Sequence, residues 1–226
     1  MRGVIRLKPD ATSKQDTSAS AATKDRLINA AAVLFAERGF ENVTVREICS
    51  ASQANVAAVN YHFGDKAGLY RSIVLHAIEV MLETNEQLQK AGAGLSPEDQ
   101  IREFVKVFVR RLTSDGPNSW IHKLMAREME HPTEALDLVM NQVVRPRLEY
   151  LSSVAGAIMG LPPDDPRVRR SVASLQGQCL MAVRKVPSPL AKVWGGVAQD
   201  LDGLIAHIAE FSIGGMHAIA GRESGA

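Results

Sequence analysis

The chain has 226 residues, of which 46% are hydrophobic and 23% are charged, and this composition excludes an intrinsically disordered protein. No run of about 18 uncharged apolar residues occurs, so we expect no membrane span and no membrane partner. The formal net charge is only +1, but residues 1–75 hold ten Lys and Arg against seven Asp and Glu, so the small positive excess lies near the N-terminus.

Residues 1–22 show no helical periodicity, and we expect them to form a flexible N-terminal tail. The first amphipathic helix is expected to begin at Thr23, which suits an N-cap, and to end at Gly39, because glycine accepts the left-handed conformation found after helix ends. The two cysteines, Cys49 and Cys179, are far apart and form no CxxC pair, which favours a protein of the reducing cytoplasm. The start of the chain also lacks the long apolar run that is typical of a signal peptide.

Two short helices follow. Thr44 and Glu47 have the spacing of a capping box, which predicts a helix of about seven residues starting at Thr44. After a turn at residues 52–55, a third short helix is predicted from about Asn55 to Phe63. A short helix, a four-residue turn and another short helix is the arrangement of a helix-turn-helix.

The rest of the chain also has helical periodicity. We predict helices from Lys66 to about Lys90, from Ser96 through Leu112, from about Pro117 to Glu130, from near Pro132 to Met159, from Asp165 to about Lys185, and from about Val197 to Ala220. Pro146 lies inside the fourth of these helices and is expected to kink it. No run of alternating β-branched residues is evident, so the fold class is predicted to be all-α.

The third helix has the side chains expected of a helix that enters the major groove of DNA. Val59 and Phe63 are four residues apart and are predicted to pack inward, which leaves short polar residues outside. Alanine methyl groups can contact thymine, and an asparagine amide can bind adenine. The predicted DNA-contacting residues are Asn55, Ala57, Ala58, Asn60, Tyr61 and His62, with Thr44 and Lys66 at flanking helix starts.

Thr44–Ile48 and Asn55–Tyr70 resemble the DNA-binding domain of TetR-type transcriptional regulators, because both helices, both caps and the Lys-x-x-Leu pattern are in register. The strings Arg127–Thr133 and Gln176–Cys179 are similar to the branch with a CecR-like (CerR-type) C-terminal domain. The resemblance implies a three-helix helix-turn-helix domain over residues 23–70. It also implies a larger helical effector-binding and dimerisation domain over residues 71–226.

The resemblance implies a small-molecule effector site in the second domain. Apolar residues would provide its volume, and a few polar groups would orient the ligand. The residues expected to line it are Trp120, Leu124, Met125, Glu128, Gln176 and Cys179. The alternative is that these residues form an ordinary Met-rich core and a solvated face. The histidines around this segment do not match HExxH spacing, so no metal and no cofactor are expected.

A regulator of this type reads two half-sites as a symmetric dimer. The expected partners are therefore a palindromic double-stranded DNA operator, a small-molecule effector and a second copy of the chain. Helices over residues 166–184 and 197–220 are the expected dimer interface. An all-α small-molecule enzyme and a helical protein-binding adaptor are the alternative functions. One residue departs from the family pattern: Gln53 occupies a turn position that is usually glycine.

Overall fold

The computed structural model of the chain describes residues 11–182 and 200–221, with the backbone alone for residues 11–18 and 182. Within these residues the chain forms ten α-helices and one π-helical segment, and no strand. The predicted all-α fold class is confirmed.

The helices are numbered here in chain order. Their bounds are α1 (Ala11–Arg38), α2 (Val45–Ser52), α3 (Val56–Phe63), α4 (Lys66–Gly92), α5 (Pro97–Thr113), α6 (Trp120–Glu130), α7 (Ala135–Val139), the π-helical segment (Met140–Val144), α8 (Arg145–Met159), α9 (Pro166–Ala182) and α10 (Leu201–Ala220).

The chain divides into two compact units. The described part of the first, called here the N-terminal unit, comprises residues 11–77 and 123–132. The described part of the second, the C-terminal unit, comprises residues 78–122, 133–182 and 200–221. The predicted boundary after residue 70 therefore does not coincide with the division between the units.

In the N-terminal unit, α1 packs against α2 and α3 around a small apolar core. The buried side chains include Leu27, Phe35, Ile48, Val59 and Leu69, all fully inaccessible to solvent. Val59 is among them, as its spacing along α3 predicted, so the local pattern places at least this side chain in the core.

In the C-terminal unit, α10 packs against α5, α8 and α9. The core contains apolar side chains from all four helices, including Phe104, Leu151, Leu175 and Ile208. By length and composition alone, α10 could cross a membrane, but its buried residues belong to this core. It is therefore a core helix of the C-terminal unit.

Two predicted helix starts are wrong. Helix α1 begins at Ala11, so residues 11–22 are helical and Thr23 is not its N-cap. The cause is that this stretch has alanine-rich helix propensity without an apolar stripe, and periodicity alone does not detect it. The helix that was predicted from about Val197 to Ala220 begins only at Leu201, with Asp200 as its N-cap. Residues 1–10, and the predicted helical residues 183–185 and 197–199, lie outside the described part of the chain.

The expected irregularity near Pro146 takes the form of a π-helical segment. The Arg145 N–H donates to the carbonyl of Met140, five residues earlier. Proline lacks an N–H, and in an α-helix its ring would collide with the carbonyl four residues before it. The wider turn avoids that collision. The side-chain amide of the buried Asn85 on α4 then donates to the Val143 carbonyl at 3.1 Å.

Candidate nucleic-acid interface

The start of α2 is fixed by a complete capping box, as predicted. The Thr44 hydroxyl accepts the Glu47 N–H at 3.3 Å, and the Glu47 carboxylate accepts the Thr44 N–H at 2.8 Å. The Thr44 hydroxyl also donates to that carboxylate at 2.7 Å, and Arg38 pairs with it at 2.7 Å. The hydrogen bonds from Thr44, followed by the one from Arg38, lower the pKa of Glu47 to about 2, so the cap is charged at neutral pH.

This capping determines which groups at α2 remain for a ligand. The proton of the Thr44 hydroxyl is already donated to Glu47. The amides of Val45 and Arg46, at the first two helical positions, have no carbonyl within the helix to bind. The Arg46 side chain is exposed beside them. Backbone amides and a guanidinium are therefore better donors to a phosphate here than the predicted Thr44 hydroxyl.

The turn between α2 and α3 has the left-handed conformation for which glycine would be suited. Gln53 has φ 52° and ψ 41°, and it is the one non-glycine residue with positive φ in the described part of the chain. Its side chain makes this conformation cost about 1 kcal/mol. The backbone path nevertheless connects the two helices as a helix-turn-helix, so the substitution affects stability and leaves the geometry intact.

Helix α3 presents its predicted outer face to solvent. Asn55 caps the helix by accepting the Ala58 N–H at 2.8 Å, and Val59 is completely buried. Tyr61 is 82% exposed, and its ring contacts the His62 ring edge-on at 5.0 Å.

Accessibility separates the other predicted residues of α3. Ala57 and Asn60 are exposed, whereas Ala58 and His62 are half-buried. Phe63, which was predicted to pack inward, is only half-buried. Val56 was not predicted to contact DNA, yet 45% of it is exposed at the first position of the helix. The exposed surface at the start of α3 is therefore more apolar than expected, which suits contact with thymine methyl groups.

Lys66, at the start of α4, is largely engaged within the unit. Its ammonium donates to the carbonyls of Phe40 and Val43 at 3.0 and 3.1 Å, and it lies 4.2 Å from the centroid of the Phe40 ring. Two of its three N–H donors are thus used to hold the loop between α1 and α2. A contact with DNA phosphate, as predicted, would have only the third donor available.

Two neighbouring residues of α6 bind the N-terminal unit at separate points. The buried carboxylate of Glu128 accepts a hydrogen bond from the Tyr70 hydroxyl of α4. Burial and this hydrogen bond raise the pKa of Tyr70, which remains a neutral donor. Arg127 donates from Nε to the Ala36 carbonyl at 2.9 Å and from Nη2 to the Glu37 carbonyl, both at the end of α1.

The six residues predicted to bind an effector fall in both units. Leu124, Met125 and Glu128 belong to the N-terminal unit, and Trp120, Gln176 and Cys179 belong to the C-terminal unit. Glu128 is buried, as its predicted inward position requires, and Tyr70 contacts it. A groove of about 550 Å³ lies along α8 and α9, and none of the six lines it. Their role as an effector site stays a prediction.

Three functional candidates were missed by sequence reasoning. Tyr70 and Arg127 give no local signal, because their partners lie 58 and about 90 residues away in the chain. Arg147 does give a signal. It is four residues after Val143 and four before Leu151, two completely buried residues, and an arginine within an apolar row at helical spacing indicates a charge held against the core.

A capped helix-turn-helix with an exposed second helix, joined to a larger helical unit, defines a DNA-binding transcriptional regulator. Residues 27–73 match the model of bacterial regulatory proteins of the tetR family. Residues 97–216, more than half of the chain, match the C-terminal domain of the HTH-type transcriptional dual regulator CecR. The chain belongs to the TetR family of transcriptional regulators, in the branch with a CecR-type C-terminal domain.

Individual proteins agree with this assignment. The chain is 31% identical over 166 residues to the HTH-type transcriptional dual regulator CecR of Shigella flexneri, covering 70% of this chain and 74% of that protein. It is 24% identical over 167 residues to the HTH-type transcriptional repressor NicS of Pseudomonas putida, covering 70% of this chain and 74% of that protein.

Solved structures share the fold. The fatty acid degradation regulator FadR from Bacillus halodurans matches with a TM-score of 0.61 at 19% identity, covering 85% of this chain and 95% of that chain. The TetR family regulator PfmR from Thermus thermophilus matches with a TM-score of 0.59 at 20% identity, covering 82% of this chain and 97% of that chain.

Proposed function

We propose that the protein is a cytoplasmic, homodimeric repressor that binds a palindromic operator through α3 and is released by a small-molecule effector. The observation that carries the proposal is the exposed outer face of α3, which presents alanine, asparagine and tyrosine from a helix capped at both ends. The role involves no catalytic step, as is usual for this family of regulators.

The proposed contacts follow from the accessibility of each group. Asn60 has the amide that can bind both edges of an adenine, while the exposed Ala57 and Val56 contact thymine methyl groups. Tyr61 is long and 82% exposed, so its hydroxyl reaches a backbone phosphate beside the groove. The α2 amides of Val45 and Arg46 bind a further phosphate and fix the register of α3.

The dimer is proposed to form through α9 and α10. Both helices bury one side in the core of the C-terminal unit, yet they also expose large apolar side chains. Leu180, Met181 and Phe211 are 53%, 59% and 63% exposed on two neighbouring helices, so a second copy of the chain could cover them. In the DNA-competent state, the two α3 helices would lie roughly 34 Å apart, one turn of the duplex.

Effector binding is proposed to act through α4 and α6. Each of these helices has residues in both compact units, and α6 is bonded to the N-terminal unit through Arg127 and Glu128. A ligand that binds the C-terminal unit more tightly in one state therefore displaces both helices and changes the separation of the two α3 helices. The shift can be no larger than the difference in affinity of the ligand for the two states.

The experiment starts with selection of bound DNA from a random pool, followed by mobility-shift titration of the selected operator. Asn60→Ala and Tyr61→Ala are each expected to weaken binding by about 1–3 kcal/mol, because each removes a proposed contact with base or phosphate. Gln87→Ala, an exposed change on α4 in the C-terminal unit, is the matched control and should leave affinity unchanged. Unchanged affinity in both α3 variants would refute the assignment of the site.

A further inference from the structure

A half-buried charged side chain lies against the core of the C-terminal unit. Arg147 of α8 lies between the completely buried Val143 and Leu151 along one helix face. Its guanidinium is 4.9 Å from the centroid of the Phe108 ring of α5, and that ring is stacked on Phe104 at 5.1 Å. A guanidinium over an aromatic face is favourable, but the contact neutralises no charge.

Two buried donors in this core have no acceptor. The Nε atom of Arg147 and the Nε2 atom of Gln176 on α9 are both inaccessible to solvent and without a hydrogen-bond partner in the described part of the chain. Buried polar nitrogens are normally bonded, because an unpaired donor removed from water costs stability. These two buried nitrogens, on half-buried side chains of neighbouring helices, therefore need a specific explanation.

Among the described residues, none forms an ion pair with Arg147. Burial lowers the pKa of Arg147 to about 10, so it is still a cation at neutral pH. The neighbouring Cys179 is a neutral thiol there, because burial raises its pKa to about 12. Residues 183–199, which lie outside the described part of the chain, contain no Asp or Glu, so that segment has no carboxylate to offer.

We propose that Arg147 and Gln176 bind the carboxylate of the effector, and that the effector is an amphipathic monoanion with an apolar body. This inference rests on the proposed function, since it specifies the ligand that releases the repressor. Gln176 and Cys179 lie one helical turn apart on α9. Arg147 is close enough to Cys179 for its positive charge to oppose the effect of burial on the pKa of the thiol. The site is thus bounded by α5, α8 and α9.

The chemistry of the donors selects the ligand class. The planar guanidinium matches the two oxygens of a carboxylate, and the Gln176 amide adds a further N–H. One guanidinium neutralises one negative charge, so a dianion such as a phosphate monoester would bring an uncompensated charge into this core. The surrounding Phe104, Phe108 and Leu175 side chains are suited to an apolar body.

The binding test uses two pairs of molecules that differ only in the charged group: octanoate with octanol, and hydrocinnamate with hydrocinnamyl alcohol. Isothermal titration of the full-length protein, with ligands up to about 1 mM, should show at least one carboxylate binding about tenfold or more tighter than its alcohol. Octyl phosphate is the dianionic comparison and should bind more weakly than octanoate. Equal binding of acid and alcohol, tighter binding of octyl phosphate, or no binding of either carboxylate would overturn the proposal.

Variants of Arg147 and Gln176 test whether these two side chains cause the preference for a carboxylate over its alcohol. Arg147→Met should abolish the preference for carboxylate over alcohol, and Gln176→Leu should reduce it. Arg145→Met, an exposed arginine two residues earlier on the same helix, is the control and should retain it. Without ligand, the melting temperature of Arg147→Met should equal or exceed that of the natural protein, because the change removes a buried Nε that has no acceptor among the described residues. A retained preference would show that Arg147 does not bind the carboxylate, and a lower melting temperature would show that its unpaired nitrogen carries no cost in the unliganded protein.

A separate measurement distinguishes this proposal from the proposed function. Fluorescence anisotropy of the selected operator reports DNA binding, and addition of the preferred carboxylate reports release. Release in the natural protein that disappears in Arg147→Met supports both proposals. Carboxylate binding that depends on Arg147 but does not release the operator supports the site and contradicts its role as the effector site of a repressor.

Discussion

The N-terminal unit satisfies its buried polar side chains internally, whereas the C-terminal unit leaves two buried donors without an acceptor. In the first, Tyr70 donates to Glu128, and the Ser52 hydroxyl donates to the Ile48 carbonyl at 2.8 Å. In the second, Arg147 and Gln176 each have a buried nitrogen with no partner among the described residues. Other buried polar groups of that unit, such as Asn85, are bonded. The difference therefore lies in these two nitrogens.

This contrast separates two requirements of a regulator. A DNA-reading surface must be rigid before it meets its target, because every group that becomes ordered on binding reduces affinity. A ligand-sensing core must instead be lower in free energy when the ligand is bound. Buried donors that lack an acceptor raise the free energy of the unliganded protein, and a ligand that accepts their hydrogen bonds removes this unfavourable contribution.

The strongest test of the satisfied unit is Tyr70→Phe. This change removes one hydroxyl and leaves the buried Glu128 with one donor fewer, so we expect a loss of about 2 kcal/mol in the free energy of unfolding. Chemical denaturation followed by circular dichroism measures the loss. Tyr61→Phe makes the same change on a side chain that is 82% exposed and should have no effect. Equal effects in the two variants would contradict the role given to Tyr70.

Replacing one arginine by methionine in each unit compares the stability that a bonded arginine and an unbonded arginine contribute. Arg127→Met removes two hydrogen bonds to the carbonyls at the end of α1, and we expect it to cost about 1–2 kcal/mol. Arg147→Met removes no hydrogen bond seen among the described residues and should cost nothing. Thermal unfolding of both variants, at one protein concentration, gives the two values. The contrast fails if Arg147→Met is destabilised as much as Arg127→Met.

The smallest expected effect concerns the one strained position in the helix-turn-helix. Gln53→Gly relieves a left-handed conformation and should stabilise the protein by about 0.5 kcal/mol, since part of the gain is offset by the greater freedom of glycine in the unfolded chain. Gln87→Gly, in the middle of α4, is the control and should instead destabilise by about 1 kcal/mol. Stability that falls in both variants would show that the turn carries no strain.

Much of the N-terminal unit could be predicted because its determinants are local. The Thr44 and Glu47 capping box, the Asn55 cap and the stop at Gly64 are all found within a few residues of the helix that they bound. The buried face of Val59 followed from spacing alone. The same local logic failed at Ala11, where α1 extends through an alanine-rich stretch with no apolar stripe to reveal it.

The remaining contacts depend on the fold as a whole. Lys66 was assigned to DNA phosphate because of its position at a helix start, yet the loop that binds two of its donors lies more than 20 residues earlier. Glu128 was correctly placed on an inward face, but the identity of its partner, Tyr70, depends on how α6 meets α4. Spacing can show that a side chain points inward; it cannot show what that side chain meets.

The π-helical segment at Met140–Val144 has a consequence for how this region tolerates changes in length. A π-turn contains one residue more than the α-turn it replaces, and each residue of an α-helix advances the chain by about 100°. Because the extra residue is held within a single turn, the side chains of α7 and α8 keep the angular relation of consecutive helical turns. Deleting one residue while Pro146 is kept would restore the collision between the proline ring and the carbonyl four residues before it. The extra residue and the proline are therefore tied together, and a chain shortened by one residue here needs another residue in place of Pro146.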